Sequence, residues 1–409
     1  MASKVALSFK ALLVLLTLAL ADVLPYVDNP QYQASAYGLY PSQTYVTNAS
    51  LIAPRANIRA AAGNSSTSND RFVFVTPRGV PVAGTATAPT ILEANNNLTL
   101  VWSGPKWGAA YPFRVQSYNG SDYLTFWAGV QEDLGYGRGN YYMLNSSYDL
   151  VYNLTNVNLN VGGDFHEFQL TDNNTALITT YEPIQYNLSA VGGPENGWLM
   201  DGVFQEIDIE TNALIFEWRA SSFYTVNDSF ILPSGGLTGE TFNLAFDFYH
   251  INSVEKDDAN NYLVSGRHTH SVCYIDGSNG QVIWTMGGRR NMFRDLSDGQ
   301  ATNFAWQHDP RWIDANTFSL FDNAATDQVV TQNETRGLRL TVDQQAMTVS
   351  VQQAFLSPDQ ILSASQGSLQ NLDNGNAFMG YGSIPAFTEY SPTGEVLWDV
   401  QFGMLGNQT

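Results

Sequence analysis

The sequence predicts an all-β fold of six similar units, arranged as the blades of a β-propeller. Composition is the first indication, because 13% of the residues are aromatic and only 14% are charged, which is typical of β-rich proteins. The second is a recurring pattern of an apolar strand, a polar turn with Asp or Asn, and another apolar strand. The third is spacing, since units of about 35 to 60 residues with about four strands fit propeller blades.

Three copies of the repeat begin with a histidine at the same phase. His166 opens "HEFQLTDNNTALITT", His250 opens "HINSVEKDDANNYLVSG" and His308 opens "HDPRWIDANTFSLFD". A fourth copy, "GSLQNLDNGNAFMGYG", has Gly367 in that place. Because the innermost strand of each blade lines the central channel, we expect the three histidines to converge near one opening of the channel.

The repeat also sets the expected blade boundaries. They fall near residues 70–105, 106–160, 162–220, 240–288, 300–356 and 365–403. A parallel β-helix has a shorter repeat, and a pair of β-sandwiches would not repeat one motif. Because the chain stops soon after the sixth unit, we expect one of two arrangements for the propeller at 70–409. Either the last blade is incompletely closed, or the N-terminal segment supplies its missing strand.

The first 21 residues are typical of a secretory signal peptide. Lys4 and Lys10 flank its start, an apolar stretch follows, and Ala19-Leu20-Ala21 forms a cleavage site before Asp22. A membrane anchor is the alternative, but the apolar stretch is shorter than the roughly 20 residues that span a bilayer. Residues 22–69 lack clear periodicity, which predicts an extended N-terminal segment lying on the main domain, with a loop at 60–70.

Sequons and charge point to a secreted eukaryotic glycoprotein. Eleven N-x-[ST] sequons lie at Asn48, Asn64, Asn97, Asn119, Asn145, Asn153, Asn173, Asn187, Asn227, Asn333 and Asn407. The single cysteine, Cys273, allows no intrachain disulfide, so the core must hold the fold. A net charge of -20 argues against nucleic acid and anionic membranes as partners. An anionic ligand would need a local group of donors.

The fourth unit contains the first candidate site. His250 and Asn252 alternate by two and share one face of a strand. Arg267 and His268 lie near the end of the strand expected to pair with it, and an antiparallel hairpin brings these ends together. An unpaired arginine inside a neutral strand is costly. Two interpretations remain open: an oxyanion ligand that the guanidinium binds, or a buried ion pair with a carboxylate.

Two further histidines have neighbours that could carry chemistry. His308 precedes Asp309 and Arg311, and its imidazole could act as a nucleophile or simply complete a turn. His166 lies between Asp164 and Glu167, whose carboxylates could orient the ring or close turns. Three converging histidines also suggest zinc or iron. We expect no metal, because Gly367 takes the fourth position and Arg267 would repel a cation. No G-x-S-x-G elbow of a serine hydrolase is present.

The chain resembles the arylsulfotransferase family of β-propellers, and most closely its secreted fungal branch. The resembling stretches run from about residue 72 to 403. They are "TPRG", "YGRGNYYMLNSSYDLV", "DFHEFQLTDNNTALITTYEP", "VGGPENGWLMDGVFQEIDIETNALIFEWR", "DFYHINSVEKDDANNYLVSGRHTHSVCYID", "GQVIWTMGG", "FAWQHDPRW", "SLFDNA" and "GNAFMGYG". The resemblance implies six blades around an active-site channel. It also implies transfer of a sulfuryl group between phenols by a ping-pong reaction through a sulfohistidine, with neither a nucleotide donor nor a cofactor.

The resemblance also assigns residues. His308 matches the nucleophilic histidine, and the residues matching the sulfate-holding groups are His166, His250, Arg267 and the accompanying Asn252. Ser365 and Ser368 are candidates for a hydroxyl that the bacterial enzymes add, and His268 is a further substrate-binding candidate. The expected partners are phenols or aryl sulfates, with no membrane after signal removal. The alternative is a propeller without transferase activity, either a small-molecule binding module or a secondary-metabolite enzyme such as a cyclase.

Overall fold

The computed structural model describes residues 22–63, 71–77, 88–132 and 134–405. The predicted signal peptide, most of the predicted loop at 60–70, and the sequons at Asn64 and Asn407 lie outside the described residues. Within the described ranges, no helix has the length and apolar character needed to cross a membrane.

In their described residues, the N-terminal segment and the first two blades contain eleven strands. The N-terminal segment has β1 (Tyr26–Val27), α1 (Pro30–Gln33), β2 (Ser42–Thr44), β3 (Ile52–Pro54) and β4 (Asn57–Ala60). Blade one has β5 (Phe72–Val75), β6 (Thr90–Glu93) and β7 (Leu100–Ser103), and a 3₁₀ turn at Pro105–Trp107 follows it. Blade two has β8 (Ala110–Tyr118), β9 (Ser121–Gln131), β10 (Gly137–Leu144) and β11 (Leu150–Leu154).

The third and fourth blades carry the longest connections. Blade three has β12 (Asp164–Leu170), β13 (Thr175–Tyr186), β14 (Gly197–Asp208), β15 (Leu214–Arg219) and the added β16 (Phe246–Asp247). Its 3₁₀ turns are Ser189–Val191, Ala220–Ser222, Val226–Asp228 and Phe242–Leu244. Blade four has β17 (Ile251–Lys256), β18 (Tyr262–Gly266), β19 (Ser271–Ile275) and β20 (Val282–Gly287).

The last two blades complete the ring. Blade five has β21 (Arg294–Asp295), β22 (His308–Asp314), β23 (Thr317–Asp322), β24 (Arg336–Asp343) and β25 (Thr348–Leu356). Blade six has β26 (Ser368–Asn371), β27 (Ala377–Gly380), β28 (Ala386–Tyr390) and β29 (Val396–Gln401). Within each blade, consecutive strands pair antiparallel from the inside outward, with β16 and β21 added in parallel. The predicted six-bladed, all-β propeller is therefore confirmed.

The N-terminal segment extends the outer edge of blade six. In the register of β4 and β29, Ile58 lies opposite Val400, and β1 then pairs with β4 in parallel. Arg59 donates a 2.8 Å hydrogen bond to Asp399. Neither expected arrangement of the last blade is correct, because β26–β29 already form a four-stranded sheet and β4 adds a further strand to it. The segment covers the edge that β29 would otherwise expose to solvent.

An ion-pair network joins four blades at their innermost strands. The carboxylate of Glu167 on β12 accepts from Arg311 on β22 at 2.7 Å and from Arg114 on β8 at 2.6 Å. It also accepts from the backbone N–H of Val254 on β17 at 3.1 Å. Although burial disfavours the charged form, Arg311 and Arg114 lower the pKa of Glu167. Because Glu167 and Arg311 follow His166 and His308 closely in sequence, this network fixes the strands that carry the histidines.

Candidate active site

The innermost strands of blades three, four and five are irregular where the histidines occur. The pairing register jumps between Asp164 and Phe168 on β12, between Ile251 and Ser253 on β17, and between His308 and Arg311 on β22. Such bulges break the alternation of a strand and redirect its side chains. His250 also has a positive φ of 53°, a strained backbone conformation that often occurs at functional sites.

The bulges bring histidines of neighbouring blades into contact. The rings of His166 and His250 have centroids 4.8 Å apart, and those of His250 and His268 lie 4.5 Å apart. Arg267 reaches the same group, with Nη1 3.0 Å from Nε2 of His268. We call His166, His250, Arg267, His268 and His308 the histidine cluster. Tyr181 packs against the His166 and His250 rings.

Two histidines of the cluster are oriented by aspartates. Nδ1 of His166 is 2.6 Å from Oδ1 of Asp164, and Nδ1 of His250 is 2.5 Å from Oδ2 of Asp247. An ionised carboxylate only accepts, so each Nδ1 donates and each Nε2 is left for a ligand. Burial, together with the charges of His166 and Arg267, lowers the pKa of His250 well below its ordinary value. His250 is therefore neutral at neutral pH.

His268 positions Arg267. Its Nδ1 is 2.7 Å from the carbonyl oxygen of Asp247, which can only accept, so its Nε2 must accept from Arg267. The second Arg267 amino group donates to the carbonyl of Ala364 at 2.9 Å. Burial lowers the pKa of Arg267 to about 10, which leaves it charged at neutral pH. In the part of the chain that the structure describes, no carboxylate forms a salt bridge with Arg267, which favours the oxyanion interpretation over the ion pair.

Asn323 determines which nitrogen of His308 carries the proton. Nδ2 of Asn323 donates to the carbonyls of Ser363 and Gln366 at 3.0 and 2.9 Å, so its Oδ1 must face His308. That Oδ1 is 2.7 Å from Nδ1 of His308, which therefore carries the hydrogen. Nε2 keeps its lone pair and, among the residues that the structure describes, accepts only a 3.2 Å bond from the Gln366 N–H. Burial and the charge of Arg267 lower the pKa of His308 well below its ordinary value, so a neutral nucleophilic tautomer results.

Unsatisfied polar atoms mark the space beside the cluster. Asn252 donates to the Gln307 carbonyl at 2.7 Å, but its buried Oδ1 has no partner among the described residues. Nε of Arg267 also has no hydrogen-bond partner among the described residues. Buried polar atoms in native proteins are nearly always hydrogen-bonded. An acceptor and a charged donor left open in this way indicate a ligand that both donates and accepts.

The remaining predicted residues differ in their placement. Ser365 precedes Gln366 in the loop that contacts His308. Ser368 begins β26 opposite Gly380, and no hydrogen bond joins it to the histidine cluster within the described ranges. Asp164 orients His166, whereas Glu167 belongs to the network between blades. The two carboxylates that flank His166 therefore have different roles.

Sequence reasoning missed Asp247, Asn323 and Gln366. A signal existed for Asp247, because an aspartate shortly precedes the histidine in both "DFH" and "DFYH". Asn323 lies in "SLFDNA", directly after the strand that pairs with the His308 strand. No pattern in the sequence marks Gln366, whose contribution is a backbone N–H.

A metal could in principle use part of this cluster. Asp247, His250 and His268 each place one ligand atom within 4.8 Å of the others. However, Nε2 of His268 accepts from the Arg267 cation, and both His250 Nδ1 and His268 Nδ1 are held by Asp247. A cation here would be repelled by Arg267 and would have to displace these hydrogen bonds. The donor set suits an oxyanion better.

A family model described as Arylsulfotransferase (ASST) matches residues 114–403. The chain belongs to the arylsulfotransferase family. The match begins in blade two and ends after blade six, and so includes all residues of the histidine cluster. No curated protein matches the chain.

Solved structures similar to this arylsulfotransferase-family chain are distant. A Bacteroides caccae protein of unknown function shares 13% identity at a TM-score of 0.44, with coverage of 76% of this chain and 89% of that one. A putative 6-phosphogluconolactonase from Bacteroides fragilis shares 11% identity at 0.40, covering 85% and 95%. A streptogramin B lyase shares 9% at 0.41, covering 86% and 88%. Fits this loose carry no argument about activity.

Proposed function

We propose that this protein is a sulfotransferase that moves a sulfuryl group from an aryl sulfate to a phenol through a covalent adduct on His308. The observation that carries the proposal is the neutral His308 tautomer. Its Nδ1–H is held by Asn323, and its Nε2 lone pair faces the Gln366 N–H at 3.2 Å, a contact that attack on sulfur would replace. Family membership supports the same reaction class. Imidazole is a nucleophile at neutral pH without any metal.

The groups around His308 suit the sulfuryl oxygens. Arg267 and His308 both hydrogen-bond the same loop. Arg267 donates to the carbonyl of Ala364, and His308 accepts from the N–H of Gln366. The open Nε of Arg267 is the candidate donor to the sulfuryl oxygens. Preorganised donors of this kind stabilise the charge that builds up during transfer. His250 is neutral when unliganded, so its Nε2 keeps a lone pair that can accept a proton.

The two half-reactions balance as follows. In the first, Nε2 of His308 attacks sulfur, an N–S bond forms, the aryl O–S bond breaks, and the donor leaves as a phenolate. In the second, the oxygen of the acceptor phenol attacks sulfur, the N–S bond breaks, and His308 regains its lone pair. The acceptor's proton passes to the neutral Nε2 of His250, whose cation Asp247 stabilises. Loss of that proton to solvent, where it neutralises the donor phenolate, completes the cycle.

The experiment uses 4-nitrophenyl sulfate, which releases a coloured phenol. We expect release to depend on an added phenolic acceptor and to vanish in His308→Ala, while the melting temperature changes little. Mass spectrometry of the protein incubated with donor alone should find one added sulfuryl group on the peptide that holds His308. Normal turnover in His308→Ala, or a stable adduct elsewhere, would overturn the mechanism. Absence of acceptor-dependent release would favour a propeller that binds small molecules without transferring sulfate.

A further inference from the structure

A cavity of about 510 Å³ lies between blades two and three. Its walls come from the β9–β10 turn of blade two and from the segment that leads to β16 in blade three. The lining includes the aromatic rings of Tyr136 and Phe242, the aliphatic Leu134 and Leu244, and the charged Glu132 and Arg138. The volume lies within the range of about 300–1,000 Å³ that is usual for small-molecule sites.

The cavity wall is physically joined to the histidine cluster. The backbone N–H of Gly137 donates to Oδ2 of Asp164 at 2.6 Å, and Asp164 orients His166. A Cβ placed on Gly135 would lie 3.8 Å from Cε1 of His250. The ring of Tyr136 stacks on Tyr181 at 5.9 Å between centroids, and Tyr181 contacts both His166 and His250. The cavity wall therefore contacts the residues that position His166 and His250.

Arg138 places a cation in the cavity wall, and its ion pair with the neighbouring Glu132 is long. Its guanidinium carbon lies 5.6 Å from the centre of the Tyr136 ring and 6.0 Å from that of Phe242. Its nearest anion, Oε1 of Glu132, is 3.6 Å from Nε, beyond hydrogen-bonding distance. Among the described residues, no acceptor forms a hydrogen bond with this guanidinium. In a chain of net charge -20, a cation flanked by two aromatic rings is a distinctive recognition element.

We infer that this cavity binds the acceptor and that the acceptor is a phenol carrying a carboxylate. Tyr136 and Phe242 contact the ring of the phenol, the guanidinium of Arg138 binds its carboxylate, and its hydroxyl faces the histidine cluster. The two planar NH groups of arginine match the geometry of a carboxylate. The identity of this molecule as an acceptor rests on the proposed sulfuryl transfer, whereas its binding in the cavity does not.

The test compares 4-hydroxybenzoate with its methyl ester, which keeps the ring and hydroxyl but lacks the charge. With 4-nitrophenyl sulfate as donor, Arg138→Gln should lower kcat/KM for the acid about tenfold relative to the ester, as for loss of a hydrogen bond to a charged group. Arg55→Gln is the matched control, because Arg55 also lies over a tyrosine ring, at 3.9 Å, but in the N-terminal segment. It should leave the acid-to-ester ratio unchanged. An unchanged ratio in Arg138→Gln would overturn the inference.

Calorimetry without donor separates this inference from the proposed function. We expect 4-hydroxybenzoate to bind the wild-type protein, and the Kd to rise about tenfold in Arg138→Gln. Binding that depends on Arg138 in a protein without transfer activity would support the cavity and remove the sulfotransferase proposal. If Arg138→Gln leaves both transfer to 4-hydroxybenzoate and its Kd unchanged, the sulfotransferase proposal is supported and the cavity inference is overturned.

Discussion

His308 is buried, yet it keeps a defined tautomer because Asn323 cannot turn its amide around. Two backbone carbonyls face Nδ2 of Asn323, and a reversed amide would place oxygen against oxygen. The same amide therefore holds the loop at 363–366 and selects the nucleophilic nitrogen. The positive φ of Gln366, 61°, places its N–H beside Nε2, where it can meet an oxygen of the transferred group.

We predict that Asn323→Ala reduces turnover by about 100-fold or more, since His308 would then present either tautomer and the loop would lose two hydrogen bonds. The rate of adduct formation, followed by mass spectrometry after mixing with 4-nitrophenyl sulfate, measures the effect directly. Asn371→Ala serves as the control. Asn371 is also hydrogen-bonded between strands, to Ser319 and Arg339, but at the opposite end of β26. Equal losses in both variants would contradict the tautomer argument.

Arg267 and Arg311 illustrate two uses of a buried guanidinium. Arg267→Lys should lower kcat by about 100- to 1,000-fold, because an ammonium cannot reproduce its planar donors. Arg311→Lys should instead destabilise the fold by about 2 kcal/mol, since Arg311 binds Glu167, Gln169 and the Val254 carbonyl. Steady-state kinetics and thermal melts of both variants distinguish the roles. If Arg311→Lys lowers kcat strongly while the melting temperature changes little, Arg311 would take part in catalysis.

The short strand β4 stabilises blade six. It covers the outer edge of blade six and buries Ile58, which is 1% exposed, against a cluster that includes Trp398 and Val400. An uncovered edge strand of this kind invites pairing with other chains. The segment therefore stabilises the blade and protects it from aggregation.

Ile58→Ala tests this role of β4. We predict that it lowers the free energy of unfolding by about 2–5 kcal/mol, the usual effect of truncating a buried aliphatic side chain. Val46→Ala, in the same segment but 50% exposed, should change it by less than about 0.5 kcal/mol. Denaturant titration of both variants provides the measurement. Similar small effects would mean that β4 contributes little to closure.

Across the whole molecule, the described sequons are compatible with glycosylation. Seven are exposed, at Asn97, Asn119, Asn153, Asn173, Asn187, Asn227 and Asn333, while Asn48 and Asn145 are half-buried. None of these nine asparagines is buried. The predicted signal peptide lies outside the described residues. Exposed asparagines in sequons can accept N-glycans. Export from a eukaryotic cell and N-glycosylation stay predictions.

We predict that protein secreted from a eukaryotic host loses mass on endoglycosidase treatment, and that Asn333→Gln, at an exposed sequon, removes one glycan without a large change in melting temperature. Asn145→Gln is the contrasting variant, because Oδ1 of Asn145 accepts from the backbone of Ser147 and Asp149 at 2.9 and 3.0 Å. Its melting temperature should fall even in protein made without glycans. Secreted protein with no mass change would remove the proposal of N-glycosylation.

The all-β class, the six units and the shared phase of His166, His250 and His308 could all be read from the sequence. This was possible because β alternation is a local sequence pattern and because the structural repeat recurs in every blade. Only the three-dimensional structure showed that Asp164 and Glu167 have different roles. It also showed that Asp247 and Asn323 are the hydrogen-bond partners of His250 and His308. These hydrogen bonds run through bulges and loops, where periodicity ends. The position of the N-terminal segment likewise required the structure, because its pairing with β29 joins residues more than 300 positions apart, which no local pattern encodes.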